Sequence, residues 1–372
     1  MELTFSEEQE ELRSVVRSFL TRHSSEAEVR RLAATEDGFD RAIWRRMATE
    51  LGLQGLAIPE EYGGSGFGHL ELGVVFEEMG RALLCAPYFA TVALAAETLL
   101  RVADEDARRE LLPGIADGST VATLALTEED GRWDRTGIRL AAAPAGDGWT
   151  LTGAKSYVPD GHTADLLLVV AATPGGVSLF AVDADARGVS RTHQPAMDET
   201  RKQARVEFTD TPARLLGDEG QAWPGIERAL ATAAVLLAAE QVGGASAALD
   251  AAVEYAKIRK QYGRVIGSYQ GIKHKCADML TEIESARSAA YGGLWAVAGD
   301  DDSEAALAAS LAKAFCSQAY TRVAGDNIQV HGGIGFTWEH PAHLYFKRAK
   351  SSEVLLGPAS YHREALASRL GI

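Results

Sequence analysis

The chain has 372 residues, 46% hydrophobic and 24% charged, which excludes a disordered or fibrous protein and gives enough chain for two or three packed units. Its 37 basic and 52 acidic residues leave a formal charge of −15. Neither nucleic acid nor an anionic membrane is therefore expected as the main partner, because both need a basic footprint.

The segment Met1 to Glu8 has neither a basic nor an apolar leader pattern, so no ordinary signal peptide is expected. Ser6 and Gln9 have capping-box spacing, and Leu12, Val15, Val16, Phe19 and Leu20 follow as a helical stripe. Ile43, Met47 and Leu51 predict a second helix stopped by Gly52. Leu72, Val75, Phe76 and Met79 predict a third. Between them, Ile58-Pro59-Glu60-Glu61-Tyr62-Gly63-Gly64-Ser65-Gly66 reads as a turn or loop. Near Gly118 the pattern changes. Leu166 to Ala171, Val177 to Val182 and Ala204 to Phe208 read as strands, punctuated by Pro144-Ala145-Gly146-Asp147-Gly148 and Pro174-Gly175-Gly176.

After Gly220 the chain turns helical again. Pro224 to Lys257 and Tyr269 to Ala298 predict two long helices, and Asp302 or Ser303 caps a third that runs to about Val330. The most apolar run, Ala229 to Ala239, is too short to span a membrane. Long helices with short polar links pack as an antiparallel bundle. The expected fold class is α+β, mainly α: an N-terminal helical domain (1–118), a middle β domain (119–218) and a C-terminal antiparallel helical bundle (219–372). Cys85, Cys276 and Cys316 contain no CxxC pair, which predicts three buried thiols in a reducing cytoplasm. His340 and His343 have ligand-like spacing, but Pro341 stands between them without an obvious carboxylate partner, so a surface turn is expected and no metal. Glu7-Glu8 and Asp300-Asp301-Asp302 read as solvated helix starts.

Three segments carry a resemblance. Leu53-Gln54-Gly55-Leu56-Ala57-Ile58-Pro59-Glu60-Glu61-Tyr62-Gly63-Gly64 resembles the N-terminal loop of acyl-CoA dehydrogenases. Arg259-Lys260-Gln261-Tyr262-Gly263-Arg264-Val265-Ile266-Gly267-Ser268-Tyr269-Gln270 resembles their RxQFGxxIxxFQ segment. Gln329-Val330-His331-Gly332-Gly333-Ile334-Gly335 resembles their QxxGGxG turn. The match spans nearly the whole chain in the right order. Taken singly, Arg259-Lys260 also fits a solvated helix end, and Gly332-Gly333 a plain helix stop. The resemblance implies FAD bound between subunits. Arg259, Tyr262, Ile266, Gln270, Gln329, Gly332 and Gly333 would then serve the adenosine and pyrophosphate of a neighbour's flavin. The chemistry suits this role: Arg259 is a permanent charge for a pyrophosphate, and the glycines permit close backbone approach. The implied reaction is α,β-dehydrogenation of an acyl-CoA thioester, in which a carboxylate takes the α-proton and the hydride passes to the flavin. Electron-transfer flavoprotein is the implied electron acceptor.

The chain also departs from the family. In place of TEPxAGSD it has Thr127-Glu128-Glu129-Asp130-Gly131-Arg132-Trp133-Asp134, keeping Thr127 and Glu128. In place of KxWxTNG it has Lys155-Ser156-Tyr157-Val158-Pro159-Asp160-Gly161. Tyr157 can replace the aromatic wall by the flavin, but Pro159 has no hydrogen to donate. Leu356 and Pro358 stand where a YEGT-like turn carries the catalytic Glu and a Thr. The family's alternative base position falls on Ala233. Glu240, about two turns further along the same helix face, is the remaining candidate base, with a structural contact inside the bundle as its other reading.

Two functions stay open at this point. One is an FAD-dependent acyl-CoA dehydrogenase with an unusual base. The other is a catalytically degenerate subunit that completes the FAD site of a paralogous partner, similar to the non-catalytic subunits of heteromeric actinobacterial enzymes for steroid side chains. A homo-oligomer or a heteromer follows accordingly.

Overall fold

The computed structural model describes residues 5–146 and 148–372. Residues 1–4 of the Met1 to Glu8 segment and Asp147 of the expected 144–148 turn lie outside the described residues. The elements, in order, are helices α1 (Glu7–His23), α2 (Glu26–Ala33), α3 (Arg41–Leu51) and α4 (His69–Arg81), a π-helical segment (Phe89–Ala96), α5 (Glu97–Val102) and α6 (Glu105–Ala116). Strands β1 (Ala122–Ala125), β2 (Ala141–Ala145), β3 (Gly148–Pro159), β4 (Leu166–Thr173), β5 (Gly176–Asp183), β6 (Val189–Gln194) and β7 (Gln203–Leu216) follow. The chain ends with α7 (Trp223–Ile258), the short strands β8 (Lys260–Gln261) and β9 (Arg264–Val265), α8 (Gln270–Ala298), α9 (Asp302–His331), α10 (Ala342–Val354) and α11 (Ala359–Leu370).

These elements form two compact units that do not follow sequence order. Among the described residues, one comprises 5–30, 69–84 and 234–372, the other 31–68, 85–146 and 148–233. In the first unit, the capping box of α1 is made: Ser6 Oγ accepts the Gln9 N–H and Gln9 Oε1 accepts the Ser6 N–H. Val16, Phe19 and Leu20 face inward, whereas Val15 of the expected stripe is exposed. Helix α4 meets α7 at two glycines. A Cβ on Gly80 would lie 1.9 Å from Glu240 O, and one on Gly243 would lie 1.8 Å from Glu77 O. No side chain fits there, so the two backbones touch. Alanines carry the same close packing outward: Ala245, Ala248 and Ala252 of α7 share a core with Met279 and Ile283 of α8 and Val323 and Ala324 of α9. The cap of α9 is Asp301, not Asp302 or Ser303, because its carboxylate accepts the N–H groups of Ser303 and Glu304. Cys316 is buried but Cys276 only half so.

α7 is a longer apolar element than the Ala229–Ala239 run suggested. It is long and apolar enough to cross a membrane, yet 83% of its apolar window is buried inside the protein, as expected of a core helix.

In the second unit, seven strands form one sheet in the order β1-β4-β2-β3-β7-β5, with β6 on β7. β5 also pairs with β4, which closes the β4-β2-β3-β7-β5 ring. The strand β4 is buried over most of its length, which explains its unbroken apolar run. The alternating strands β3 and β6, and the short β1 and β2, had no such signal. The register of β3 on β7 slips between Lys155 and Val158. Tyr157 sits in that irregularity with φ of +58°, so the bulge re-aims its side chain.

Candidate functional site

In the first unit the two motif segments leave from neighbouring helix ends. The Tyr255 ring near the end of α7 lies 4.3 Å from the His331 ring at the end of α9. Arg259 follows Tyr255 by one turn, its N–H donating to Tyr255 O at 2.9 Å. The hairpin β8–β9 turns on Tyr262 and Gly263, with φ of +51° and +83°. Two positive φ values in a two-residue loop define a type I′ turn, and this throws Tyr262 outward, 94% exposed. Ile266 returns the chain to the core: its N–H donates to Arg259 O at 2.8 Å and its side chain packs on the bundle. Tyr269 buttresses the hairpin by donating to Gln261 O at 3.0 Å, beneath the Arg264 guanidinium.

Arg259, Gln270 and Gln329 are exposed, and their side chains have no hydrogen-bond partner among the described residues. Gly332 caps α9 with φ of +63° and ψ of −138°, a conformation that L side chains avoid. A Cβ on either Gly332 or Gly333 would meet nothing within 4 Å, so the turn's backbone lies open to a ligand. A free guanidinium, two free amides and an open glycine backbone suit a dinucleotide pyrophosphate.

Thr127 and Tyr157 belong to the second unit, where the polar groups satisfy one another. Thr127 is buried and its hydroxyl donates to Ser156 O at 2.5 Å. Glu128 Oε1 accepts the N–H groups of Arg139 and Leu140 and the Lys155 ammonium, at 2.8 to 2.9 Å. Burial opposes the Glu128 charge, but the Leu140 N–H and Lys155 outweigh it and lower its pKa. Lys155, fully buried, is pushed down to about 8 by burial, against the pull of Glu128. Pro159 is buried and its carbonyl is taken by the Thr123 hydroxyl at 2.6 Å. Tyr157 is 41% exposed, with its N–H held by Gln194.

Leu356 and Glu240 both lie in the first unit. Leu356 has φ of +62° and is buried. Its carbonyl accepts from the His362 ring at 2.9 Å, and Lys313 Nζ donates to Gly357 O and Glu353 O beside it. The turn is firmly held, but it presents an alkyl group. Glu240 is buried, and its Oε1 accepts from Arg348 Nη1 at 2.9 Å while Arg348 Nη2 reaches Leu84 O. The buried guanidinium takes one carboxylate oxygen and holds the side chain in an ion pair inside the bundle, and this geometry favours the structural role for Glu240. Glu240 also stands roughly five turns before the end of α7, after which Arg259 follows.

The arrangement is matched by sequence comparison. The chain matches the family models for the N-terminal (residues 6–119), middle (123–211) and C-terminal (220–371) domains of acyl-CoA dehydrogenases. It belongs to the acyl-CoA dehydrogenase family. It is 37% identical to "Acyl-CoA dehydrogenase IpdE2" of Mycobacterium tuberculosis, over 95% of this chain and 94% of that protein. Among solved structures it is similar to a variant of the "Tcur3481-Tcur3483 steroid ACAD", with 34% identity, TM-score 0.89 and 98% of both chains covered. It is also similar to the ChsE4-ChsE5 complex from Mycobacterium tuberculosis, with 29% identity, TM-score 0.90, and 100% of this chain and 99% of that chain covered. Members of this family are FAD flavoproteins, and the open residues of the first unit fit that cofactor.

Sequence motifs did not single out Tyr255, whose ring lies against His331 beside the glycine turn, and His340 was noted only for its spacing from His343. His340 and His343 are half-buried; the His340 ring lies tilted against His331 and the His343 ring meets Trp338 edge-on, so theirs is not the plain surface turn expected. His331 lay inside the quoted QxxGG segment but gave no signal of its own.

Proposed function

We propose that this chain is the complementing subunit of a heteromeric acyl-CoA dehydrogenase. It lends Arg259, Gln270, Gln329 and the Gly332-Gly333 turn to FAD held mainly by a paralogous chain. When bound, the flavin supplies the hydride acceptor for α,β-dehydrogenation of an acyl thioester. Electron-transfer flavoprotein is the proposed acceptor, and an acyl chain attached to a steroid is the proposed substrate class. The acidic charge fits a cytoplasmic assembly with no nucleic-acid or membrane partner.

One observation carries the proposal. The groups suited to a neighbour's flavin are exposed and unengaged, whereas those suited to the chain's own flavin, Tyr157 excepted, are absent or bound to other groups of the chain. The paired chain names of the two similar structures support it. A plain dehydrogenase using Glu240 is the second reading, favoured by the position of Glu240 on the first long bundle helix. It requires Arg348 to release the carboxylate.

Size-exclusion chromatography with flavin quantitation tests the proposal. The chain alone is expected to carry far less than one FAD per chain and to dehydrogenate acyl-CoA slowly. Adding a paralogue with intact TEPxAGSD and WxTN segments is expected to restore both. A homo-oligomer with one FAD per chain and brisk turnover would leave the plain dehydrogenase standing.

A further inference from the structure

The Gly332-Gly333 turn has little core of its own. The 3-10 segment Gly332–Phe336 leads into a stretch whose large side chains, Phe336 and Trp338, are 78% and 74% exposed. A stack of three rings supports it instead. Tyr255 lies on His331, and His331 lies on His340 at 4.1 Å between centroids. His331 is buried, with Nδ1 2.9 Å from Asn327 O. A carbonyl only accepts, so the proton sits on Nδ1 and the tautomer is fixed. His340 has the opposite requirement. Its Nδ1 accepts the N–H of Ala342, the first residue of α10, at 3.2 Å. This is the i to i+2 bond of an Asx turn, made here by an imidazole, and it needs a lone pair on Nδ1.

We infer that His340 is a positioning residue for the Gly332-Gly333 turn, acting through His331, and that it holds the turn only while its imidazole is neutral. The consequence for the cofactor rests on the flavin assignment of that turn; the positioning role does not. Protonation would replace the acceptor with an N–H aimed at the N–H of Ala342. It would also place a cation at the positive end of α10. The groups facing His340 add to the cost: His331 from α9, His343 from α10 and Arg30 from α2, with Lys347 next to His343. The facing acidic group, Glu26, is already paired with Arg30 at 2.8 Å. Tyr255 adds no charge to the stack.

Burial first, then His331, lowers the His340 pKa below the ordinary imidazole value, and burial lowers that of His331. In both cases the unfolded chain takes up the proton first as pH falls below about 6.5. The stabilisation is therefore complete above that pH and is lost as pH falls through the folded-state value.

Hydrogen-exchange protection of the amides between Gly332 and Leu344, corrected for intrinsic rates, tests this on the full chain at about pH 7.5 and about pH 5. Wild-type protection is expected to fall about fivefold at the lower pH, the size of a lost helix cap. His340→Asn supplies a non-titrating acceptor for the same bond, and its protection is expected to be nearly equal at the two pH values. His340→Ala is expected to be poorly protected at both. Equal wild-type protection at both pH values, or a His340→Asn protein that loses it as the wild type does, overturns the inference. On the flavin assignment, the wild-type FAD-bearing assembly is expected to release FAD near pH 5 and the His340→Asn assembly to retain it; if His340→Asn keeps the turn protected yet FAD retention does not differ between the two assemblies, the positioning role stands and the flavin assignment of the turn fails.

Discussion

Arg348→Ala is expected to lower unfolding free energy by about 3–5 kcal/mol, the usual cost of stranding one partner of a buried ion pair. Glu240 and Arg348 are both at least 95% buried by side chain, so water cannot replace the lost guanidinium. The Leu84 carbonyl loses a donor as well. The backbone contact between Gly80 and Glu240 O fixes α7 against α4, so the carboxylate has no freedom to move out. Urea titration of the single variants and of Glu240→Leu/Arg348→Met measures the effect. The double variant should recover most of the loss, because two apolar side chains leave no buried charge. Equal destabilisation of the double variant would mean that packing, not the stranded charge, sets the cost. Glu240→Gln separates structure from chemistry. Its turnover in the working assembly should stay within about threefold of the parent, whereas a fall by orders of magnitude would restore Glu240 as the base.

Arg259→Ala is expected to reduce FAD retention by the working assembly at least tenfold, while leaving the melting temperature of the flavin-free chain unchanged. Hydrogen bonds to charged groups contribute about 1.5–3 kcal/mol, and about 1.4 kcal/mol is tenfold in affinity. The second half of the expectation follows from the exposed side chain having no partner among the described residues. Arg259→Lys should recover part of the affinity, since it keeps the charge but loses the planar fork. Absorbance of the bound flavin after gel filtration reads the first effect and a thermal melt the second. Full FAD retention by Arg259→Ala would remove Arg259 from the flavin contact. A lowered melting temperature in the flavin-free chain would mean that Arg259 supports the fold.

Most of the architecture was legible in the sequence where periodicity was long and caps were local. The helices α7, α8 and α9 fall within a residue or two of their expected ends, α3 stops at Gly52 as expected, and α1 and α4 contain their expected stripes, because a stripe repeated over several turns averages out single exceptions such as exposed Val15. Strands β4, β5 and β7 were also visible as short apolar or alternating runs. β1, β2, β3 and β6 were not, because their residues pair with distant strands and carry little pattern of their own. Helices α2, α5 and α6 are short and gave no comparable stripe.

The site divides in the same way. The resemblance of two short segments to family motifs pointed to Arg259, Gln270, Gln329 and the two glycines, whereas residue type and spacing taken singly also fitted a solvated helix end and a plain helix stop. The lack of a carboxylate at Leu356 was equally plain, since no fold makes an alkyl group a base. What the sequence could not decide was which polar groups remain free after folding. Glu240 in an apolar helix looked the same whether waiting for a proton or bound to a cation. Arg348 lies more than a hundred positions away in the chain, and its contact with Glu240 exists only once α10 has packed on α7. Thr127 and Glu128 survived as letters, yet their hydrogen bonds are taken by Ser156 and Lys155 across the sheet. The Tyr255, His331 and His340 rings likewise meet only because two helices end side by side. Chemistry carried by one residue or one turn is written locally, whereas hydrogen-bond occupancy depends on which distant groups the packed chain brings within about 3 Å.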